Sequence, residues 1–385
     1  MSDSCSNRAF YDLCMYGTLD QIREDLDDGA DMTSFNIENK MTPLMYAAYY
    51  NRDPNVVKLL LERGACIDDR TEAGRTALHY AVVRESSSPA IVKLLLEYGA
   101  SVNARDNYGD TPLLDTTGPL NDSDAEVVKL LLENGADVNA RDADGETALH
   151  NEFRHDPTPG TIDLLLKSGV DTEARDDWGR TALHIAVTNR TRSYPIRELV
   201  KSLLKCGTNI NARDNTGLTV LHRACSADVM RLFLENGVGV DVRDNDGRTA
   251  LHFAVCSDSA KLLLESGADI NACDNHGCSV LHSAVRCVVR WGEPVRLLLE
   301  NGVSLEARDD SGKTALMHVT EIFRNEEEKD LCILFDEAPN PQLIIARLLC
   351  ESGADVHARD NNGKTPMDIA SPELLKIFAD ASREQ

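Results

Sequence analysis

The 385-residue chain is poor in aromatic residues, which make up only 5% of it, and it has 40 Lys and Arg against 64 Asp and Glu. The formal net charge of −24 repels phosphate backbones, so we expect no nucleic acid among its partners. No apolar run approaches the length that crosses a bilayer, and therefore we expect no membrane either. The opening segment, MSDSCSNRAF, has neither the basic nor the apolar part of a signal peptide.

Cysteine pairs and catalytic motifs are also missing. The 11 cysteines are spread from Cys5 to Cys350 without a CxxC pair, which is typical of reduced thiols and predicts a cytoplasmic or nuclear location. There is no GxxxxGK[ST] phosphate loop, no GxSxG elbow and no HExxH helix. We therefore predict no catalytic residue, no cofactor and no metal, although a triad assembled only in space would leave no such motif.

Internal repetition is what the chain has in abundance. A Thr-x-Leu tripeptide, with one Ser and one Met exception, recurs at Thr42, Thr76, Thr111, Thr147, Thr181, Thr219, Thr249, Ser279, Thr314 and Thr365. An apolar segment such as VVKLLLENGA (127–136) and a turn segment such as VNARDADGET (138–147) follow in order. We predict two short helices per repeat, with Thr at the start of the first and Gly at the end of the second. The Asp-x-x-Gly of the turn segment predicts a tight finger.

A single helix pair of this kind leaves one apolar face bare, so we expect neighbouring pairs to stack and share a core. We predict a degenerate first repeat at 5–36, nine repeats at 37–359 and a truncated last repeat at 360–385. Extra residues fall mainly between the two helices of a repeat, and the largest insertion lies near 321–342.

These linked signatures resemble the ankyrin repeat family over nearly the whole chain. The resemblance implies an all-α solenoid of stacked helix-turn-helix units with β-hairpin-like fingers. It also implies that a partner is held by the finger tips and the concave surface of the first helices. By position, and because exposed aromatic and arginine side chains dominate many interfaces, we place the partner site at Tyr108, Arg154, His155, Trp178, Arg180, Arg248, His276 and Arg286.

Histidines recur after the Thr-x-Leu, at His79, His150, His184, His222, His252 and His282. Their fixed place in each repeat predicts a structural hydrogen bond. Zinc could be considered at Cys273, His276, Cys278 and His282, but their spacing is not a usual zinc pattern and His282 already has the repeat role.

We predict a non-enzymatic scaffold or adaptor that acts as a monomer and binds a protein partner with a basic surface. The alternative is an enzyme or small-ligand binder, for example in a biosynthetic pathway, with a pocket in the concave groove near Arg154, His155 and Arg180. A third possibility, chemically a variant of the first, is an inhibitory or effector role on a host or pathway protein.

Overall fold

A computed structural model describes residues 3–33, 36, 40–83, 88–117, 124–155, 157–188, 196–224, 226–254, 256–286, 292–324 and 341–384. Within these residues the regular structure is helical, apart from an isolated antiparallel bridge between Cys273 and Ser279. None of the described helices is long and apolar enough to span a bilayer. The chain divides into two compact units, Met1–Thr208 and Asn209–Gln385.

Unit 1 is built of helix pairs. The first helices are Asp3–Tyr16, Pro43–Tyr50, Ala77–Val82, Pro112–Asp115, Ala148–Arg154 and Ala182–Ala186. The second helices are Leu19–Asp27, Pro54–Glu62, Pro89–Glu97, Asp124–Glu133, Pro159–Lys167 and Ile196–Lys205. The predicted first repeat at 5–36 overlaps a helix pair whose first helix begins two residues earlier, at Asp3.

Unit 2 repeats the same plan. Its first helices are Val220–Arg223, the 3-10 helix Ala250–Phe253, Val280–Arg286, Ala315–Arg324 and Pro366–Ile369. Its second helices are Ala227–Glu235, Ser257–Glu265, Glu293–Glu300, Pro341–Glu351 and Pro372–Glu384. Most of the predicted insertion, residues 325–340, lies outside the described residues.

Stacking creates the core of each unit. First helices pack against neighbouring first helices, and second helices pack against second helices. Leu95 and Leu131, on the adjacent second helices Pro89–Glu97 and Asp124–Glu133, are both fully buried. The expectation that neighbouring helix pairs stack and share a core is confirmed. A core of this kind depends on neighbouring repeats, since a lone pair would leave such leucines in water.

The predicted finger turn is also confirmed. In one finger, Asp106 Oδ1 accepts hydrogen bonds from the amides of Tyr108 at 2.8 Å and Asp110 at 3.0 Å. Gly109 has φ +83°, a conformation that side chains with a Cβ rarely adopt. The same pattern of an aspartate bonded to the amides two and four residues later recurs at Asp142, Asp176, Asp214, Asp244, Asp274, Asp309 and Asp360.

The repeated histidines are structural, as predicted. Nδ1 of His150 accepts the amide N–H of Thr147 at 3.2 Å, and Nε2 lies 3.2 Å from the carbonyl oxygen of Arg180 in the next finger. The ring must therefore be neutral and protonated on Nε2, because a proton on Nδ1 would face another N–H. The corresponding rings with both contacts are His79, His222, His252 and His282.

Candidate functional site

The finger tips of unit 1 form a continuous row. The residue before each turn glycine offers its carbonyl oxygen to an amide of the next finger: Ala73 to Asn107 at 2.8 Å, Tyr108 to Ala143 at 2.9 Å, and Asp144 to Asp177 at 3.0 Å. These bonds align the tip row, which we define as Ala73, Tyr108, Asp144 and Trp178. Because the backbone fixes the row, its side chains are pre-positioned for a partner.

Two of the predicted partner-site residues stand out in the tip row. Tyr108 is 65% exposed and Trp178 is 50% exposed, although both are large hydrophobic side chains. They flank Asp144, two repeats apart, which corresponds to roughly 20 Å at the usual spacing of packed helices. Large exposed rings on a rigid row are suited to entering pockets on another molecule.

Arg180 and Arg154 have internal partners. Nε of Arg180 lies 2.6 Å from Oδ2 of Asp176, and its terminal nitrogen lies 3.5 Å from the carboxylate of Glu146. Arg154, at the end of its first helix, also pairs with Glu146, which is only 3% exposed. The Arg180 guanidinium stacks 4.6 Å above the Trp178 ring centroid and orients that ring. These two arginines thus support the tip row as well as facing solvent.

A related network joins the two preceding fingers. Nε of Arg75, the residue after the turn glycine, lies 3.1 Å from Asp106 Oδ2, and its terminal nitrogen lies 2.8 Å from Asp115 Oδ1. Burial raises the pKa of Asp115 to about 7 and that of Asp110 to about 6. Asp115 ends a first helix, just as Arg154 does. The fingers and the carboxyl ends of the first helices therefore form one side of unit 1.

In unit 2, the predicted residue Arg248 is bonded through its guanidinium to Asp244 and Asp246 at 2.8 and 2.9 Å. It also lies 4.8 Å above the ring centroid of Phe253. His276 is an exposed tip residue, with Nδ1 3.9 Å from Asp310 Oδ2.

Two predicted residues lie at first-helix ends. Arg286 ends its helix and is exposed. His155 follows the helix Ala148–Arg154 and is also exposed, in unit 1. The eight predicted residues thus belong to two separate units, with five in unit 1 and the other three in unit 2.

A tyrosine cluster, absent from the predicted site, lies at the first helices of the first three repeats. We define it as Tyr11, Tyr16, Tyr46, Tyr49, Tyr50 and Tyr80. Ring centroids are 4.5 Å apart for Tyr49 and Tyr50, 5.9 Å for Tyr16 and Tyr50, and 5.8 Å for Tyr49 and Tyr80. Tyr16 is 75% exposed and Tyr50 is 40% exposed. Six of the nine tyrosines of the chain are therefore concentrated here.

An open cavity of about 830 Å³ adjoins the tyrosine cluster. Its lining includes Tyr16, Tyr49 and Tyr50 together with Arg52 and Asp53. The buried amide of Asn51 holds the cavity floor by donating to the carbonyl of Cys14 at 3.0 Å. Burial and the neighbouring rings raise the pKa of Tyr50, so the phenol is neutral and donates or accepts hydrogen bonds.

The sequence does carry a signal for the tyrosine cluster. Tyr49 and Tyr50 close the first helix of the segment TPLMYAAYY (42–50), where no other repeat has a pair of tyrosines. Tyr16 occupies the end of the first helix one repeat earlier. The tyrosines of one repeat do not by themselves predict a binding surface. The cluster becomes evident only when the first helices of neighbouring repeats are placed side by side.

The cysteine and histidine residues weighed as a zinc set do not come together as one set. Both ring nitrogens of His282 are hydrogen-bonded, to Ser279 and to the carbonyl of Lys313. Burial, followed by Asp274 and Asp309, raises the pKa of Cys278 to about 11. The Cys278 thiol is therefore protonated at neutral pH and is a poor nucleophile.

A family model of ankyrin repeats matches three stretches, residues 10–113, 120–196 and 191–274. The chain belongs to the ankyrin repeat family. Ankyrin repeats are generally protein–protein interaction modules, and most proteins of the family are non-enzymatic scaffolds. Over 66 residues the chain is also 44% identical to the E3 ubiquitin-protein ligase hecd-1 of Caenorhabditis elegans. That match covers 17% of this ankyrin protein and only 2% of hecd-1, so no ligase activity is inferred from it.

Proposed function

We propose that this ankyrin repeat protein is a non-enzymatic scaffold that binds a protein partner along the finger and first-helix side of unit 1. The observation that carries the proposal is the exposure of four large rings on that side. They are Tyr16 at 75%, Tyr50 at 40%, Tyr108 at 65% and Trp178 at 50%. Exposed rings of this size leave apolar surface in water unless a partner covers them.

The two groups of rings belong to one surface. Tyr80 of the tyrosine cluster is within electrostatic reach of Arg75, which bonds Asp115 at a first-helix end. Arg154, at a later first-helix end, shares Glu146 with Arg180, the arginine under Trp178. A partner lying along this side meets the tyrosine cluster first and the tip row next.

Charge favours a basic partner. Between residues 10 and 33 the acids are Asp12, Asp20, Glu24, Asp25, Asp27, Asp28 and Asp31, and the single base is Arg23. The faces of the tyrosine rings attract Lys and Arg side chains, and the negative field of the chain speeds the encounter. We propose that the partner presents Arg or Lys side chains to the tyrosine cluster.

The arrangement favours binding over catalysis. The arginines predicted for an enzymatic groove, Arg154 and Arg180, are engaged with Glu146 and Asp176. The cavity beside the tyrosine cluster is open and lies in a different part of unit 1. Its lining offers Arg52, Asp53 and tyrosine side chains, and it combines no nucleophile with a histidine base.

Paired ring substitutions test the proposal. We expect Tyr16→Ala/Tyr50→Ala and Tyr108→Ala/Trp178→Ala each to weaken partner binding by about 1–2 kcal/mol per ring that is an anchor, or tenfold and more for each pair. The measurement is a calorimetric or surface-based titration of the chain with the partner recovered by cross-linking in cells. The rings are exposed, so the melting temperature should stay close to that of the parent chain.

Tyr98→Ala supplies the matched control. Tyr98 is 42% exposed but lies at the end of the second helix Pro89–Glu97, away from the finger turns. This change should leave the affinity for the partner unaffected. The affinity of the chain for the partner should fall as salt is added, because salt screens the attraction to a basic partner. If all three variants bind the partner as tightly as the parent chain, or if only Tyr98→Ala binds more weakly, the finger and first-helix side of unit 1 is rejected as the binding surface.

A further inference from the structure

Three side chains of unit 2 bring metal-ligand atoms together. Cys278, Asp309 and His318 are each half-buried, and one ligand atom from each lies within 4.8 Å of the other two. They come from three places in the repeat plan. Cys278 follows a turn glycine, Asp309 is the turn aspartate of the next finger, and His318 lies on the first helix Ala315–Arg324.

Asp309 is held so that one carboxylate oxygen is turned toward His318. Oδ1 accepts the amides of Ser311 and Lys313, both at 2.8 Å, as in the other fingers that have an aspartate at this position. Oδ2 faces Nε2 of His318 at 2.9 Å. Hydrogen bonds that fix one carboxylate oxygen and aim the other are the outer support that metal-binding aspartates need.

Among the described residues no Lys or Arg is paired with Asp309, whereas several other turn aspartates have such a cation. Oδ2 of Asp106 is paired with Arg75, which follows the turn glycine of the preceding finger. The residue at that place in the preceding finger here is Cys278. Within its own finger, Lys313 turns its ammonium to Glu321 at 2.7 Å. The arrangement therefore replaces a guanidinium by a thiol and an imidazole, both of which are metal ligands.

His318 is displaced from the structural role of the other histidines. In Thr-Ala-Leu-Met-His (314–318), Met317 stands where the capping histidine is expected and His318 comes one residue later. As a consequence, the buried hydroxyl of Thr314 lacks a hydrogen-bond partner among the described residues. The His318 ring instead packs edge-on against His282, with centroids 5.0 Å apart, and turns Nε2 to Asp309.

We propose that Cys278, Asp309 and His318 bind one Zn²⁺ through the Sγ, carboxylate oxygen and Nε2 atoms, with water as the fourth ligand. A mixed sulfur, nitrogen and oxygen set suits Zn²⁺ better than Mg²⁺ or Ca²⁺, which take oxygen ligands. In a tetrahedral site with zinc bonds of this kind, ligand atoms lie roughly 3.3–3.8 Å apart. Oδ2 of Asp309 and Nε2 of His318, now 2.9 Å apart, would separate slightly. A separation at the 4.8 Å limit would close by about 1 Å.

The protonation changes balance. On binding, the Cys278 thiol releases its proton to the buffer, and the His318 proton moves from Nε2 to Nδ1. The hydrogen bond from Nε2 to Asp309 is replaced by two bonds to the metal. A thiolate and a carboxylate then neutralise the two positive charges of Zn²⁺, which favours a partly buried position.

The test is a calorimetric titration of the full-length, metal-stripped and reduced chain with Zn²⁺, repeated with Co²⁺ as an absorbing probe. We expect one ion per chain, one proton released per ion, and a thiolate-to-cobalt charge-transfer band. Cys278→Ser and His318→Ala should each weaken binding by roughly tenfold to a hundredfold or more. Cys273→Ser is the matched control, because Cys273 is also half-buried in the same finger but its Sγ faces the carbonyl of Asn271 at 3.5 Å.

Circular dichroism and thermal melting of the metal-free variants establish whether they fold. If His318→Ala does not fold, the more conservative substitution Cys278→Ser still tests the site. The proposal is overturned if Zn²⁺ does not bind with a stoichiometry of one. It is also overturned if Cys278→Ser binds like the parent chain, or if Cys273→Ser loses affinity in its place.

Discussion

Unit 2 is expected to lose stability steeply as the pH falls from about 7.5 to about 5.5, by at most about 4 kcal/mol for each pH unit below the ordinary histidine pKa of about 6.5. Burial lowers the pKa of His222, His252 and His282 in the folded chain. Below a pH of about 6.5, these histidines bind protons in the unfolded chain but stay neutral in the folded chain, so acid favours unfolding. The loss continues until the pH reaches the lowered folded-state pKa values.

The aspartates of unit 2 act in the same direction. Burial opposes ionisation of Asp214 and Asp309, but hydrogen bonds to the carboxylates outweigh it and lower both pKa values. The stabilisation from such groups is present above the unfolded pKa and is lost as the pH falls toward the folded one. Acid therefore weakens unit 2 through histidines first and through aspartates at lower pH.

Unit 1 should respond much less, because its groups oppose each other. Burial lowers the pKa of His79 and His150, but it raises the pKa of Asp110 to about 6 and that of Asp115 to about 7. A carboxyl with a raised pKa binds its proton in the folded chain first, so falling pH stabilises the fold through that group.

The measurement is urea unfolding at a series of pH values, read by pulsed hydrogen exchange, which reports the two units separately. His222→Gln should reduce the pH dependence of unit 2 by about a third, at the cost of some stability at neutral pH. His357→Gln, at an exposed position, should leave the pH dependence unchanged. A unit 1 that unfolds at higher pH than unit 2 would contradict this explanation.

The features that could be predicted from the sequence are those that depend on residues close together within one repeat. The finger turn needs only Asp106 and Gly109 within one segment, and the histidine contact needs Thr147 and His150 at a fixed spacing. Local hydrogen bonds of this kind are encoded over a few residues, so repetition makes them visible.

The features that could not be predicted depend on which residues two neighbouring repeats bring together. Arg180 and Arg154 were assigned to the partner surface, but their common partner Glu146 becomes evident only when fingers and helices are stacked. The cluster of Cys278 and Asp309 joins residues 31 positions apart in the same way. Insertions change this separation along the chain, so position in the sequence does not reveal the contact.

Arg75→Ala is expected to destabilise unit 1 by about 3–5 kcal/mol at a pH of about 8, the usual cost of removing one partner from a buried ion pair. The substitution leaves two carboxylates without their cation, and the side chains of Asp106 and Asp115 are only 0% and 8% exposed. Asp115→Asn should instead be neutral or stabilising at this pH. It keeps an acceptor oxygen for Arg75 and has no charge to remove from water.

The pH dependence separates the lost charge pair from simple loss of packing. Asp115 has a pKa of about 7, so below that value it is protonated, and the cost of Arg75→Ala should shrink between about pH 8 and about pH 6. Arg63→Ala is the matched control, since Arg63 pairs with Asp27 at 2.6 Å on the surface and such pairs contribute about 1 kcal/mol or less. If urea unfolding gives the same change in the free energy of unfolding for Arg75→Ala and Arg63→Ala at every pH, Arg75 contributes no more to stability than an arginine in an exposed ion pair. The residues after the turn glycines would then be interpreted as primary contacts with the partner, because they would not be needed to hold neighbouring fingers together.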